Sequence, residues 1–479
     1  MSVPTIRLFL AIVVLFALLV GWTSRWTIFE ADDLRANTLD KRPLFTALRV
    51  KRGAIKTESG EVLARSVRAR GGVYERDYPT DALFGHPVGY AKLLTGELSG
   101  LERSRNDELS GTTSELNSVL DQLQGKRRAG NTVVTTLDPE AQQVATDRLG
   151  GQAGAIFAFD PRDGAVKVMV SSPGYDPNLV NSSGGLSSLN NDRENAPLLD
   201  RVTQGAYPPG STFKVVTAAA ALDSGKFTPD SELDGRSGRV VSGVPLRNDF
   251  DQDFGPTTLT NALVNSVNTA FAQLGEELGK GTMADYMERF GFYRLPPLDY
   301  PDEQMIKSGL RSRGRLVPVT SPAVDVGRMA IGQERLLVTP IQMAMVAGAV
   351  ANGGRLMEPR LTEKVVDPDG RTVKTIEPKE FSRPISEQTA SELTQMMGRV
   401  VEEGTGTAVQ LPGIDVAGKT GTAEIDVAND IAQPWFIAFA PATDPQIAIA
   451  VTVERTVGGF GGTVAAPIAR DVLASLLER

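Results

Sequence analysis

Ser211 and Lys214 stand three residues apart in Ser211-Thr212-Phe213-Lys214, the only S-x-x-K among the 479 residues. Three positions along a helix bring two side chains to one face, so the hydroxyl and the amine can meet. The run from Thr212 to Leu222 is apolar almost all round. A lysine among such neighbours loses hydration, its pKa falls, and the neutral amine can serve as base to the serine hydroxyl. A lone S-x-x-K equally describes a serine that starts a helix and a lysine that snorkels, so the pair needs partners. Alternative bases are scarce. His86 is the only histidine and cysteine is absent. A Ser-His-Asp triad would have to recruit that single imidazole, and thiolate nucleophiles, disulfides and His- or Cys-built metal sites are excluded. His86 itself reads as a structural or surface residue.

Two further motifs supply the partners. Ser266-Val267-Asn268 follows Ser211 by 55 residues, whereas the other S-x-N copies near it, at Ser104 and Ser188, precede the serine. K-[ST]-G occurs at Lys307-Ser308-Gly309 and at Lys419-Thr420-Gly421. The first continues into the charged, turn-like Leu-Arg-Ser-Arg-Gly-Arg and is set aside. The second lies inside Gly413 to Thr420, which matches the phosphate-loop pattern G-x-x-x-x-G-K-[ST] letter for letter. A phosphate loop follows a buried strand and opens into a helix whose N-terminus holds the phosphates. Here Pro412 precedes the stretch, and Ala423, Ile425 and Val427 alternate with polar residues after it. That period predicts a strand, and Gly421 is a poor first-turn helix residue. The nucleotide reading is rejected.

The elements that must position these residues can be read in outline. "GAIFAFDPRDGAVKVMVSSP", from Gly154, predicts a hairpin turning at Asp160 to Gly164. Pro-Pro-Gly before Ser211 leads into a buried helix ending near Gly225. "VTPIQMAMVAGAVANGG" predicts a core helix with Thr339 as N-cap, Pro340 in its first turn and Asn352-Gly353-Gly354 as terminator. "QPWFIAFAP" and "QIAIAVTVER" predict adjacent strands, and "APIARDVLASLLER" an amphipathic C-terminal helix. Leu98 to Glu115 is polar and reads as a loop or linker.

The chain is 41% apolar with a net charge of -8. It is long enough for two folded domains, and its acidity argues against nucleic acid as the main partner. Between Arg7 and Arg25 lie 17 uncharged residues, about 26 Å as a helix, enough to cross a bilayer core. Trp22 and Trp26 suit the far interface, and no small-residue cleavage site follows, so an uncleaved anchor is expected.

The order S-x-x-K, S-x-N, K-T-G, with the wording "YPPGSTFK", "AGKTGTAE" and "MAIGQERLLVTPIQMA", resembles the penicillin-binding proteins, serine D,D-transpeptidases of peptidoglycan synthesis. "KRGAIKTESGEVLA", "YERDYP" and "HPVGYAKLLTGELSGLE" are similar to the pedestal of class B members. Length and wording are most similar to the actinobacterial penicillin-binding protein A group. The resemblance covers the chain beyond the anchor and leaves no room for the glycosyltransferase domain of class A members. It implies an α/β fold: an antiparallel sheet flanked by helices plus an all-helical part, on a strand-containing pedestal behind one transmembrane helix. The expected divisions are a cytoplasmic tail at 1–7, the anchor at 8–24, a dimerisation-like pedestal at 25–150 and the transpeptidase domain at 151–479.

The resemblance also implies roles. Ser211 attacks the penultimate D-alanine carbonyl of a stem pentapeptide, Lys214 takes its proton, and Ser266 relays that proton to the departing D-alanine. Asn268 hydrogen-bonds the peptide. Lys419, Thr420 and Thr422 hold the terminal carboxylate, and Gly421 lets the substrate lie close. Backbone amides of Ser211 and Thr422 would form the oxyanion hole. No metal or cofactor is called for, and β-lactams would acylate Ser211. The implied setting is a cell membrane with an N-in anchor and an extracytoplasmic catalytic domain. A SEDS-type lipid II glycosyltransferase is the implied partner, and a homodimer is compatible with the pedestal. Three rivals share such a site. A class A β-lactamase needs a carboxylate resembling E-x-x-L-N, whose nearest approach is Glu358-Pro-Arg-Leu-Thr. A D,D-carboxypeptidase uses water in place of the acceptor amine. A β-lactam sensor acylates without releasing D-alanine from a pentapeptide.

Overall fold

A computed structural model describes residues 3–26, 48–111 and 129–478. Helix α1 (Val3–Ser24) buries none of its residues against the rest of the chain. At about 33 Å it is long and apolar enough to cross a membrane. Residues 27–47, which the sequence assigns to the start of the pedestal, lie outside the described residues.

The N-terminal sheet is built around β1 (Ile55–Thr57), β2 (Val62–Arg68), β3 (Tyr74–Asp77) and β4 (Thr132–Thr135). β1 pairs antiparallel with β2 and parallel with β4, with Ile55 opposite Val133. Two later strands, Thr362–Val366 and Thr372–Thr375, complete it, the first pairing antiparallel with β4. The chain after residue 150 thus returns to stitch the two ends of the molecule together.

The polar stretch from Leu98 is not the loop or linker its composition suggests. It carries two short helices, Gly100–Ser104 and Asn106–Ser110, with Leu101, Glu102 and Leu109 buried. Glu102 is fully buried between Arg52 and Arg76, whose Nε atoms donate to its two oxygens. Burial alone would raise its pKa, but the two guanidiniums outweigh burial and hold the carboxyl below its ordinary range. A carboxylate within a stretch read as a loop or linker is therefore the centre of a buried cluster. Residues 112–115 fall outside the described residues.

Helix α2 (Pro139–Leu149) leads into the central sheet, whose strands are β5 (Gly154–Phe159), β6 (Val166–Ser172), β7 (Ala417–Asp426), β8 (Ile431–Ala440) and β9 (Ile447–Val453). The order is β7-β8-β9-β5-β6, a sixth short strand, Thr456–Val457, pairs with the start of β8, and every pairing is antiparallel. β5 and β6 form the expected hairpin, its turn closed by Gly164 N donating to Asp160 O at 2.9 Å. β9 is buried along its whole length, because helices cover both faces of the sheet.

Among the helices introduced here, α3 (Lys214–Asp223), α4 (Asn268–Arg289), α5 (Pro340–Ala351), α6 (Glu387–Glu402) and α7 (Ala466–Leu477) follow in chain order. α5 is the expected core helix, buried from Pro340 to Val350 and capped by the Thr339 side chain accepting from Gln342 N. On the other face Ala141, Ala145 and Leu149 of α2 share a cluster with Ala469, Val472 and Leu473 of α7 and with sheet residues Ile156, Ile449 and Val451. α2 therefore packs with the central sheet although it precedes residue 151.

Candidate active site

Pro208 and Pro209 deliver the chain into a 3-10 turn, Gly210–Phe213, that runs directly into α3. The sequence predicts one helix from Thr212. The first turn is tighter because Thr212 Oγ1 bonds back to Pro209 O at 2.8 Å. The turn is fastened from several sides. Tyr207 and Val338 exchange both backbone hydrogen bonds, at 3.0 and 2.8 Å. Trp435 Nε1 donates to Pro208 O at 3.0 Å. The Tyr207 phenol donates to Glu454, which also accepts from Arg201 Nε at 2.7 Å. Gly332, at φ +79°, lies so close that a Cβ there would fall 1.9 Å from Gly210 O. Only glycine meets both demands.

Lys214 opens α3 with its amine fully buried. Its Nζ donates to Ser266 O at 2.7 Å and to Asn268 Oδ1 at 2.7 Å, and lies 3.2 Å from Ser266 Oγ. Ser266 comes from the short connection between helix Leu259–Val264 and α4, and it holds a left-handed backbone at φ +57°. For a buried serine that is strain kept by its surroundings, as is common where a side chain must be aimed. Lys419 of β7 approaches from the other side, also fully buried, with Nζ 3.0 Å from the same Ser266 Oγ and 2.9 Å from Thr420 O. Lys214, Ser266, Asn268, Lys419 and Thr420 therefore form one hydrogen-bonded chain. Ser211 Oγ has no hydrogen-bond partner among the described residues.

Burial, then the neighbouring Lys419, drive the Lys214 pKa well below the ordinary lysine range, with Asp249 opposing. Burial lowers Lys419 to about 7, again opposed by Asp249. Two ammonium groups cannot share this desolvated space at low cost. The favoured arrangement has Lys214 neutral, and so able to act as a base, and Lys419 as the remaining cation.

β7 presents the K-T-G segment in strand register, with Lys419 opposite Ile437, Thr420 opposite Phe436 and Gly421 opposite Trp435. Lys419 is a mid-strand residue and no helix begins after it, which disposes of the phosphate-loop pattern. Gly421 lies against the serine turn: a Cβ there would meet Thr212 Cγ2 at 2.8 Å, Pro209 O at 2.9 Å and Thr212 N at 3.0 Å. This contact sets strand and turn edge to edge, with Gly421 against Thr212 and Thr422 against Gly210 on either side of Ser211 in the chain. Thr420 Oγ1 lies 2.6 Å from Thr405 Oγ1, and Thr422 Oγ1 accepts from Gly461 N at 3.1 Å.

The other motif copies serve elsewhere. Ser308 Oγ accepts from Thr339 N at 3.0 Å, and Asn106 accepts from Arg52. Ser188 belongs to a short helix, Gly185–Asn191. Glu358 pairs with Lys379 at 2.7 Å, away from this network. His86 is buried, with its backbone oxygen held by Tyr300 OH at 2.7 Å. Sequence reasoning missed Asp249, whose Oδ1 accepts from Asn268 Nδ2 at 3.2 Å, and Thr405. Asp249 lies in a turn-rich stretch without periodicity, so no local signal marks it. Gly332 stood inside a quoted family-like stretch, but its role depends on a contact 122 positions away in sequence.

Residues 154–474 match the penicillin binding protein transpeptidase domain, and residues 52–133 the penicillin binding protein A dimerisation domain. Peptidoglycan D,D-transpeptidase PbpA of Mycolicibacterium smegmatis is 35% identical over 98% of each chain. The protein of that name in Mycobacterium tuberculosis is 32% identical over 98% of each. Penicillin-binding protein A from M. tuberculosis, solved as a ceftriaxone acyl-enzyme complex, superposes with a TM-score of 0.82 at 32% identity, covering 91% of this chain and 100% of that one. With the fold, the paired lysines and both matched segments in agreement, the chain belongs to the penicillin-binding protein transpeptidase family.

Proposed function

We propose that Ser211 is the nucleophile of a membrane-anchored peptidoglycan D,D-transpeptidase. The observation that carries this reading is the buried chain from Lys214 through Ser266 to Lys419, laid against the turn that bears Ser211. Neutral Lys214 accepts the Ser211 proton as Oγ bonds to the penultimate D-alanine carbonyl. The tetrahedral oxyanion is held by the backbone amides of Ser211 and Thr422. The C–N bond to the terminal D-alanine then breaks, and Ser266 passes the proton to the departing amine. Lys419, Thr420 and Thr422 hold the terminal carboxylate, Gly421 admits the substrate backbone, and Asn268 bonds the stem peptide. A second stem's amine attacks the acyl-enzyme and closes the cross-link. A β-lactam, which keeps its leaving group attached, leaves Ser211 acylated.

The finer setting follows from the same reading. An N-in anchor places the catalytic part outside the cytoplasm, where its substrate lies. With a pedestal at 25–150 and a catalytic part at 151–479, a division crossed by α2 and by the strands at 362–375, the pedestal would bind a second copy or a SEDS-type lipid II glycosyltransferase. The test is direct. Ser211→Ala is expected to abolish labelling by fluorescent penicillin, with the adduct in the parent protein mapped to Ser211 by mass spectrometry. Purified parent protein given lipid II polymer is expected to release D-alanine and form cross-linked dimers. Labelling of Ser211→Ala at the parent rate would remove the assignment, and D-alanine release without dimers would make the protein a carboxypeptidase.

A further inference from the structure

The Asn268 amide can sit either way round with little change of shape, but the two orientations are not chemically equal. As it stands, Oδ1 accepts from Lys214 Nζ at 2.7 Å, while Nδ2 donates to Asp249 Oδ1 and to Arg247 O, each at 3.2 Å. Turned over, the NH2 group would point at Lys214 and donate into the lone pair that a base needs. The Asp249 carboxylate and the Arg247 carbonyl have no proton to give, so both accept only from the Nδ2 side. Together they hold the amide in the orientation that receives a hydrogen bond from Lys214.

The turn that carries these two acceptors is itself fixed to the start of α4. Asn248, between them, is buried. Its side chain donates to Gly235 O at 2.8 Å and to Gln252 O at 3.0 Å, and its Oδ1 accepts from Thr269 N and Thr269 Oγ1, each at 3.1 Å. Thr269 is the chain neighbour of Asn268, so Asp249 and the amide are placed by one set of bonds. The charge of Asp249 also reaches both active-site lysines and favours the protonated form of each. The other charges on the turn are engaged elsewhere: Arg247 pairs with Asp251 at 3.1 Å, and Asp253 accepts from Gly255 N at 2.9 Å. The cations that Asp249 meets across the groove are Lys214 from α3 and Lys419 from β7.

We infer that Asp249 is a positioning residue of the acyl transfer, acting through Asn268 by keeping its carbonyl oxygen towards Lys214. This rests on the transpeptidase reading of the groove and adds a carboxylate outside the three motifs to the groups that set the base. A stem peptide that takes one N–H of Asn268 leaves the other to keep the amide from turning. The same carboxylate offsets part of the repulsion between the two lysines, so its removal makes both easier to deprotonate.

The test measures second-order acylation by benzylpenicillin against pH for the full chain, Asp249→Asn and Asp249→Ala, with Tm as a check on the fold. Asp249→Ala loses both the acceptor and the charge. Its pH profile is expected to move as a whole toward lower pH, and its maximum to fall roughly threefold to tenfold, the scale of one hydrogen bond. Asp249→Asn keeps an oxygen for Nδ2 without the charge, so it is expected to show the same displacement with most of the height recovered. An Asp249→Ala maximum at the parent's height would overturn the inference, whether or not the profile moved. A lower maximum without displacement would overturn it too, and a lower Tm alongside would mark a turn that serves only the fold. So would an Asp249→Asn maximum that falls as far as that of Asp249→Ala. Failure of the parent chain to be acylated would instead overturn the underlying transpeptidase reading.

Discussion

Lys214 and Lys419 converge on a single hydroxyl, with their Nζ atoms 3.2 and 3.0 Å from Ser266 Oγ. Both amines are fully buried. Ser266 can accept from one lysine while donating to the other, which makes it the connection between a base and a cation rather than a second nucleophile.

The pH dependence follows from that arrangement. On the proposed mechanism acylation requires Lys214 neutral, so the rate rises as pH climbs through its lowered pKa, and it requires Lys419 charged, so the rate falls as Lys419 deprotonates at about 7 in the free enzyme. The second-order acylation rate is expected to be bell-shaped, with its falling limb near neutrality. A bound carboxylate stabilises the Lys419 charge and moves the falling limb of the saturated rate upward. A single rising limb at ordinary lysine pH, in a stopped-flow series, would contradict this.

On the proposed mechanism Lys419→Ala removes the counter-charge of the substrate carboxylate. Losing a charge-assisted hydrogen bond of this kind is expected to slow acylation about 10- to 100-fold. Acylation at the parent rate would return attention to the motif at Lys307.

Gly421→Ala tests the contact between β7 and the serine turn. The added methyl would press on the Thr212 and Pro209 backbone at 3.0 and 2.9 Å, and backbone cannot swing aside as a side chain can. Displacing the turn by even a fraction of an ångström is expected to cut acylation roughly tenfold or more, with a fall of a few degrees in Tm. Unaltered kinetics would mean that strand and turn separate freely.

Glu102→Ala addresses stability away from the site. It leaves the Arg52 and Arg76 guanidiniums buried without their counter-charge, a loss of about 3–5 kcal/mol. Denaturant unfolding should show a lower midpoint. A change within experimental scatter would mean that water reaches both arginines.

Some of this was legible in the one-dimensional chain because the signals are local. The hairpin at Gly154–Ser172, the core helix from Pro340 and the strand through Lys419 each declare themselves by period, caps and turn residues within a dozen positions. The stretch from Leu98 misled because composition reports polarity, whereas the burial of its Glu102 depends on Arg52 and Arg76, fifty and twenty-six positions away. Asp249 and Gly332 were silent for the same reason.

The amino-acid order by itself determined the nucleophile and base candidates, the absence of any thiol or second imidazole, and the run of motifs that identifies the family. Only the folded chain decided that two lysines 205 positions apart share one hydroxyl and that both amines lose their water. It also decided that strands from residues 362–375 complete the N-terminal sheet and that Asp249 meets Asn268. Helical and strand periods are written residue by residue, but desolvation and charge coupling arise from surfaces that come together only on folding.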